Sequence, residues 1–297
     1  MIKSIPHLQP GDLIRIVSPA KAIDQELLDY ARKLIEDKGY RVKIGQYAAG
    51  RSNYFSGTDE QRAHDMQEAL DDTECKAIIC ARGGYGCIRI VDLLNWAGFL
   101  RNPKWIVGFS DITVFHQHIQ RYGLPSIHAT MPLNFPDNSQ EAIYSLFNAL
   151  EGKNNTYHFS TSHSKSGIAE GKVIGGNLSI LYSLLGTDDR PDFENAILFI
   201  EDLSEQLYVL DRMWYSFEKS GALDQISGLM VGGMTDMKDT SPKTGFSVEE
   251  IINNMFSFRN IPVAFHFPGG HITDNRAIIL GKEAKLTVEK DIATLIQ

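Results

Sequence analysis

Residues 104–123, KWIVGFSDITVFHQHIQRYG, decide the fold class, because they predict a buried strand, a tight turn and a helix in immediate succession. The same order appears earlier in the chain. Residues 12–20, DLIRIVSPA, and 76–86, KAIICARGGYG, predict strands that run into loops, and residues 24–38 between them form an apolar helical face. A repeated strand, loop and helix is the pattern of a parallel sheet covered by helices. We therefore predict an α/β fold of the Rossmann or flavodoxin-like kind for this part of the chain.

The composition changes at residues 152–167, GKNNTYHFSTSHSKSG, which are polar and poor in large aliphatic side chains. A chain of 297 residues is long enough for two domains, and such a stretch is typical of a linker. We predict an α/β domain over residues 1–165 and a smaller β-rich domain over 166–297. Strands are predicted in the second domain within 171–181, 196–203, 226–234, 261–270 and 285–297, and helices over 206–220 and 248–256.

Charge and composition exclude several classes of function. The formal net charge is −8, and no long basic run offers a surface for nucleic acid. Pro6 and Pro10 interrupt the apolar residues at the amino terminus, which therefore lacks the continuous run of a signal peptide. No later stretch approaches the roughly 20 apolar residues that cross a bilayer. We expect a cytoplasmic protein without nucleic-acid or membrane partners.

Ser110 is the first candidate for chemistry, because it follows the apolar run WIVGF and precedes a helical pattern. A serine in such a turn can act as a nucleophile, with the N–H of Asp111 and the helix dipole stabilising an oxyanion. A helix cap is the more common role for a serine at this position. Ile112 occupies the position of the last glycine in a GxSxG nucleophile elbow, so both interpretations stay open.

The loop ARGGYG, residues 81–86, also follows a predicted strand and precedes a helix. Gly83 and Gly84 would let backbone N–H groups approach a ligand and complete an oxyanion hole. The spacing is neither GxGxxG nor a Walker pattern, which argues against a dinucleotide or nucleotide site. The glycines can also do no more than permit a tight turn.

A serine nucleophile needs a base, and His271 is the best placed of nine histidines. It follows FPGG on a glycine turn, where loops carry chemistry. Glu201 ends the apolar run AILFI, where a carboxylate is costly unless it is paired, so it can orient the imidazole. A zinc site built from His266, His271 and Asp274 is the alternative, but it lacks the HExxH spacing and a clear further ligand. We predict no metal.

Six motifs in order make the chain resemble the LD-carboxypeptidases of serine peptidase family S66, which also contains the microcin C immunity peptidases. The motifs are GDLIRIVSPA, ARGGYG, VGFSDIT, GKVIGGNLSIL, LFIEDL and GGHITDN. The resemblance implies a triad of Ser110, Glu201 and His271, divided between the two domains. It also implies an oxyanion hole from the backbone N–H groups of Asp111 and of Gly84 or Gly83.

The resemblance further implies a homodimer without metal or cofactor that removes the terminal D-alanine from murein tetrapeptide, a muropeptide, during peptidoglycan recycling. Arg82, Tyr85 and Arg276 are candidates for substrate binding from their charge and position. The microcin-immunity branch is longer and carries an aromatic loop that stacks a nucleobase. No such loop is evident after Gly186, so the murein branch is favoured.

Three alternatives stay open at this point. The same triad could hydrolyse a peptidyl or aminoacyl adenylate, as in microcin immunity. A non-catalytic protein could capture a small anionic peptide through Arg82 and the glycine loop. An α/β-hydrolase has the same triad order, but Ile112 and the early glycine loop argue against it.

Overall fold

The computed structural model describes residues 5–297 and divides into two compact units. The first ends at Lys153 and also includes Arg276–Ile278, and the second comprises Asn154–Asn275 and Ile279–Gln297. The predicted linker, residues 152–167, contains a strand that pairs with the last strand of the chain. The units therefore separate at 153/154, ahead of that strand, and not at the predicted 165/166.

The first unit is built on a parallel sheet. Its strands are β1 Leu13–Val17, β2 Arg41–Ile44, β3 Cys75–Cys80, β4 Trp105–Gly108 and β5 Ser126–His128. The sheet has the order β5-β4-β3-β1-β2, with the later strand Ile278–Leu280 beside β5. The pairs β1 with β2, β1 with β3, β3 with β4 and β4 with β5 are all parallel. Parallel order brings the loops after β1, β3 and β4 to the same edge of the sheet.

Helices follow the strands of the first unit. They are α1 Gln25–Asp37, α2 Asp59–Asp71, α3 Cys87–Ile90, α4 Ala97–Arg101, α5 Thr113–Gln120 and α6 Gln140–Leu150, with 3₁₀ turns at Val91–Leu93 and Ser110–Ile112. A capping box between Thr58 and Gln61 starts α2. The helix predicted directly after the loop ARGGYG is replaced by the short α3, a 3₁₀ turn and α4, and α6 was not predicted.

The second unit contains a seven-stranded mixed sheet, which confirms the β-rich prediction. Its strands are β6 Thr156–Ser160, β7 Gly167–Asn177, β8 Ile197–Leu203, β9 Gly228–Thr235, β10 Val263–Ala264, β12 Glu283–Val288 and β13 Ile292–Ile296. The label β11 belongs to the strand Ile278–Leu280, which lies beside β5 in the other sheet. The order is β10-β9-β8-β7-β12-β13-β6. Strands β7 to β10 pair in parallel, whereas β7, β12, β13 and β6 pair antiparallel.

Three helices of the second unit are α7 Leu178–Leu184, α8 Leu207–Lys219 and α9 Val248–Phe256. The predicted strand over 171–181 ends early because the Asn177 side chain caps α7. Only Val263–Ala264 of the predicted strand 261–270 forms a strand, and the left-handed φ of 66° at His266 interrupts the remainder. Within residues 5–297, no helix combines the length and the apolar character that spanning a membrane requires.

Candidate active site

Ser110 begins a 3₁₀ turn directly after β4 and has a φ of 63°. A serine in the left-handed region is uncommon, and such backbone strain concentrates at functional sites. The cap position of this turn belongs to Phe109, and no side-chain capping bond is made there. The helix-cap interpretation of Ser110 therefore has no hydrogen bond to support it among the described residues.

Gly108 explains how the turn forms without the second glycine of a nucleophile elbow. A Cβ at Gly108 would lie 2.8 Å from a methylene of Ile112, so the bare Cα leaves room for that side chain. Buried His116 donates from Nε2 to the Gly108 carbonyl at 2.9 Å. Burial lowers the pKa of His116 to about 3, which keeps this imidazole neutral. The neutral imidazole therefore stabilises the turn by its hydrogen bond to the Gly108 carbonyl.

The glycine loop after β3 lies against the Ser110 turn. A Cβ at Gly83 would lie 2.9 Å from the Ser110 Cβ and 3.3 Å from the Asp111 backbone nitrogen. Gly84 has a φ of 109°, a conformation that favours glycine. The structure therefore brings Gly83 of the glycine loop against the Ser110–Asp111 turn, and an oxyanion hole built from their backbone N–H groups stays a prediction.

The side chain of Asp111 joins these two loops. Its carboxylate is buried and accepts a hydrogen bond from the backbone N–H of Cys87 at 2.8 Å, immediately after the glycine loop. Burial raises the pKa of Asp111, and the hydrogen bond from Cys87 opposes that rise. Sequence reasoning assigned a role only to the Asp111 backbone and missed this contact, which depends on residues far apart in the chain.

The three predicted substrate-binding residues lie in the first unit. Arg82 is half-buried and donates one guanidinium nitrogen to the carbonyl of Ala22 at 2.9 Å. Tyr85 is exposed. Arg276 lies in the short segment that clusters with the first unit. Their part in substrate binding stays a prediction.

In the second unit, His271 and Glu201 form a close pair. Nδ1 of His271 donates to Oε2 of Glu201 at 2.6 Å, and the Glu201 side chain has no exposed surface. Burial alone would lower the pKa of His271, but the charge and hydrogen bond of Glu201 raise it above its usual value. The carboxylate thereby fixes the tautomer and leaves Nε2 as the basic nitrogen.

The turn that presents His271 fits closely around Glu201. Gly270 has a φ of 102°, and a Cβ there would lie 2.6 Å from the Glu201 Cβ. The Gly270 N–H donates to the Asn275 side chain at 2.7 Å, and the Thr235 hydroxyl donates to the His271 carbonyl at 2.8 Å. The FPGG sequence signalled a turn, but it did not reveal this packing.

Asp202 points away from the Glu201 pair, as an extended strand requires. It accepts hydrogen bonds from the Asn177 side chain and the Ser179 N–H, both at 2.9 Å, at the start of α7. Burial and the neighbouring Glu201 charge raise its pKa to about 6. Asp202 thus anchors the start of α7, and its charge adds to the rise in the pKa of His271.

The zinc alternative finds no support in the geometry. His266 is exposed and contacts the Ser162 hydroxyl at 2.8 Å. Within residues 5–297, the group of histidines and carboxylates close enough to share a metal ion is His64, Asp65 and Glu68 on α2. Arg15 already pairs with Glu68 at 2.8 Å.

The fold of both units is that of two-domain serine-type carboxypeptidases. A muramoyltetrapeptide carboxypeptidase from Oxalobacter formigenes matches with a TM-score of 0.88 and 27% identity, over 96% of this chain and 98% of that one. Sequence profiles of the LD-carboxypeptidase N-terminal and C-terminal domains match residues 14–129 and 170–286. The chain belongs to the LD-carboxypeptidase family and is a serine-type enzyme.

Two relatives represent the branches of this family. The murein tetrapeptide carboxypeptidase of Pseudomonas aeruginosa is 31% identical, over 94% of this chain and 94% of that protein. The microcin C7 self-immunity protein MccF of Escherichia coli is 25% identical, over 98% of this chain and 95% of that protein. The predicted family and fold class are thus confirmed.

Proposed function

We propose that this enzyme removes the terminal D-alanine from murein tetrapeptide in peptidoglycan recycling, through a Ser110–His271–Glu201 triad. The 2.6 Å pair of His271 with buried Glu201 is the observation that carries this proposal. A buried carboxylate bonded to Nδ1 orients the imidazole. It also stabilises the imidazolium that forms when the histidine accepts a proton as general base. The strained Ser110 turn supplies the nucleophile side of the same chemistry.

The mechanism begins when Nε2 of His271 takes the proton of the Ser110 hydroxyl as Oγ attacks the scissile carbonyl. The backbone N–H groups of Asp111 and of Gly84, or Gly83, stabilise the oxyanion. His271 then protonates the leaving amine, and D-alanine departs. Water, deprotonated by His271, attacks the acyl-enzyme and releases the shortened peptide and the Ser110 hydroxyl.

This mechanism requires the two compact units to act as one enzyme. We propose that Ser110 and the glycine loop come from an amino-terminal catalytic domain, and Glu201 and His271 from a carboxyl-terminal one. Arg82, Tyr85 and Arg276 are proposed to contact the peptide. Homodimerisation, a cytoplasmic location, and the absence of a cofactor, metal or nucleic-acid partner are part of the same proposal.

Hydrolysis of peptidyl or aminoacyl adenylates is a second candidate, because the MccF relative covers nearly the whole chain. The three tryptophans, Trp96, Trp105 and Trp214, are all buried, so none of them offers an exposed ring to a nucleobase. The murein relative is also the more similar of the two. Both observations favour the murein substrate.

Release of D-alanine from murein tetrapeptide tests the proposal. The wild type should release D-alanine, and Ser110→Ala should lose at least about a thousandfold in rate. Exposed Ser183→Ala is the matched control and should keep full activity. A serine-directed phosphonate should label Ser110 in the wild type, whereas full release of D-alanine by Ser110→Ala would refute the nucleophile.

A further inference from the structure

Backbone hydrogen bonds join the three loops that follow β1, β2 and β3. The Lys21 N–H donates to the Gly83 carbonyl at 3.3 Å, and the Ala22 N–H donates to the Tyr54 carbonyl at 3.1 Å. The Ser56 N–H donates in turn to the Ala20 carbonyl at 3.1 Å. The backbones at Lys21 and Tyr54 are therefore fixed relative to the glycine loop.

The side chains of Lys21 and Tyr54 cover Gly84. A Cβ at Gly84 would lie 2.9 Å from the Lys21 Cβ and 2.9 Å from the Tyr54 hydroxyl oxygen. The Lys21 ammonium lies 4.8 Å from the centre of the Tyr54 ring, a cation–π distance that restricts its position. Because neighbouring Gly83 contacts Ser110, the aliphatic stem of Lys21 covers the loop one residue from the nucleophile turn.

Four cationic side chains surround the glycine loop, and three of them are already engaged. Arg62 donates to backbone carbonyls and pairs with Asp59, and Arg89 pairs with the same carboxylate at 2.6 Å. Arg82 donates one nitrogen to a backbone carbonyl at 2.9 Å. Among residues 5–297, half-buried Lys21 has neither a carboxylate partner nor a hydrogen-bond acceptor for its ammonium.

We propose that Lys21, held against the Tyr54 ring, binds the terminal carboxylate of the peptide substrate. This inference rests on the proposed function, which requires a carboxyl-terminal residue to leave. The carboxylate carbon of that residue is three bonds from the scissile carbonyl carbon, within about 4 Å of it. A carboxylate that close to the attacked carbonyl is therefore expected beside the glycine loop, which the Lys21 stem covers.

The position of Lys21 explains how the enzyme can act as an exopeptidase. A half-buried ammonium that has a ring contact but no carboxylate partner gains a charge-assisted hydrogen bond when a carboxylate arrives. A terminal carboxamide offers no charge, so it leaves the ammonium without an ion pair. The Tyr54 hydroxyl beside Gly84 can donate a second hydrogen bond to the same carboxylate. Lys21 therefore selects for a free chain end.

The experiment compares release of D-alanine from murein tetrapeptide with release of D-alaninamide from the same peptide carrying a terminal carboxamide. The variants are Lys21→Met, Lys21→Arg and Arg82→Met. Lys38→Met is the matched control, because the Lys38 ammonium lies 4.9 Å from the centre of the Tyr144 ring, in a cation–π contact away from the glycine loop. Circular dichroism confirms that each variant is folded.

Lys21→Met should reduce kcat/KM for the free acid about 10- to 100-fold, chiefly through KM, and leave the carboxamide rate nearly unchanged. Lys21→Arg should recover much of the selectivity, and Lys38→Met should retain all of it. If Lys21→Met keeps wild-type selectivity, or Arg82→Met alone loses it, Lys21 is not the carboxylate site. A wild type that releases no D-alanine would instead overturn the proposed function, and this inference with it.

Discussion

Oε2 of Glu201 lies 2.6 Å from Nδ1 of His271, and the carboxylate has no exposed surface. An isolated carboxylate in that position would be strongly destabilising, so the imidazole and the carboxylate depend on each other. The pair holds the histidine in one tautomer and raises its pKa. Both effects suit His271 to act as a general base through Nε2.

Glu201→Gln should lower kcat by roughly 10²- to 10⁴-fold, because the amide no longer stabilises an imidazolium. His271 acts as a base when it is neutral, so kcat/KM rises with pH as this residue loses its proton. Glu201 raises the pKa of His271, and removing the charge should move the acid limb of the profile to lower pH. A pH–rate profile with an unmoved acid limb would contradict the role of Glu201.

Gly270→Ala should destabilise the second unit and remove most activity. The new Cβ would lie 2.6 Å from the Glu201 Cβ, at a φ of 102°. Gly245 is the control, because its φ of 85° is also positive but nothing lies within 4 Å of an added Cβ. Gly245→Ala should cost about 1–2 kcal/mol in urea unfolding and leave activity intact. Equal losses of stability in the two variants would contradict the packing described around Glu201.

Asp111→Ala should reduce kcat with little change in KM, because the buried Cys87 N–H would lose its acceptor and the glycine loop would shift from Ser110. An unsatisfied buried donor costs about 1–3 kcal/mol. Asp111→Asn keeps a carbonyl oxygen in place and should retain most of the rate. Steady-state kinetics of the two variants test whether the Asp111 side chain positions the glycine loop. Equal kcat values for Asp111→Asn and Asp111→Ala would refute that role.

His116 should make stability depend on pH. Its pKa in the folded protein is about 3, below the usual 6.5, so the unfolded chain binds a proton first as the pH falls. The free energy of unfolding is therefore highest above pH 6.5. It falls by up to ~1.4 kcal/mol per pH unit as the pH decreases from 6.5 toward 3. His116→Gln keeps a donor for Gly108 and lacks this loss. In urea unfolding between pH 7 and pH 4.5, the free energy of unfolding of His116→Gln should rise relative to that of the wild type as the pH falls. A difference between the two proteins that stays constant with pH would contradict the low pKa of His116.

Local patterns predicted much of this fold, and long-range packing explains the rest. The helix Val248–Phe256 begins and ends at the predicted residues, because a capping box at Ser247 and an apolar face define it locally. Helix α6 was missed although Ser139 caps it and its apolar residues recur with helical spacing. The prediction of a strand at Leu178 was wrong, since the short apolar run left helix and strand ambiguous.

The candidate site shows the same division. Ser110, Glu201 and His271 were named from strand ends and turns, which a sequence displays directly. Contacts that support them, such as Gly270 against Glu201, join residues far apart in the chain. Such contacts form only when the sheet is assembled, so no local sequence pattern predicts them.

The proposed mechanism requires Ser110 and His271 to act together in cutting the bond before a terminal D-residue. Mass spectrometry of the products from tri-, tetra- and pentapeptides with L–D and D–D termini, with a peptidyl adenylate as a further substrate, tests it most directly. We expect loss of one D-alanine from the L–D tetrapeptide alone, and we expect Ser110→Ala and His271→Ala to abolish it. Cleavage of the adenylate in preference to the tetrapeptide, or unchanged products from either variant, would contradict it.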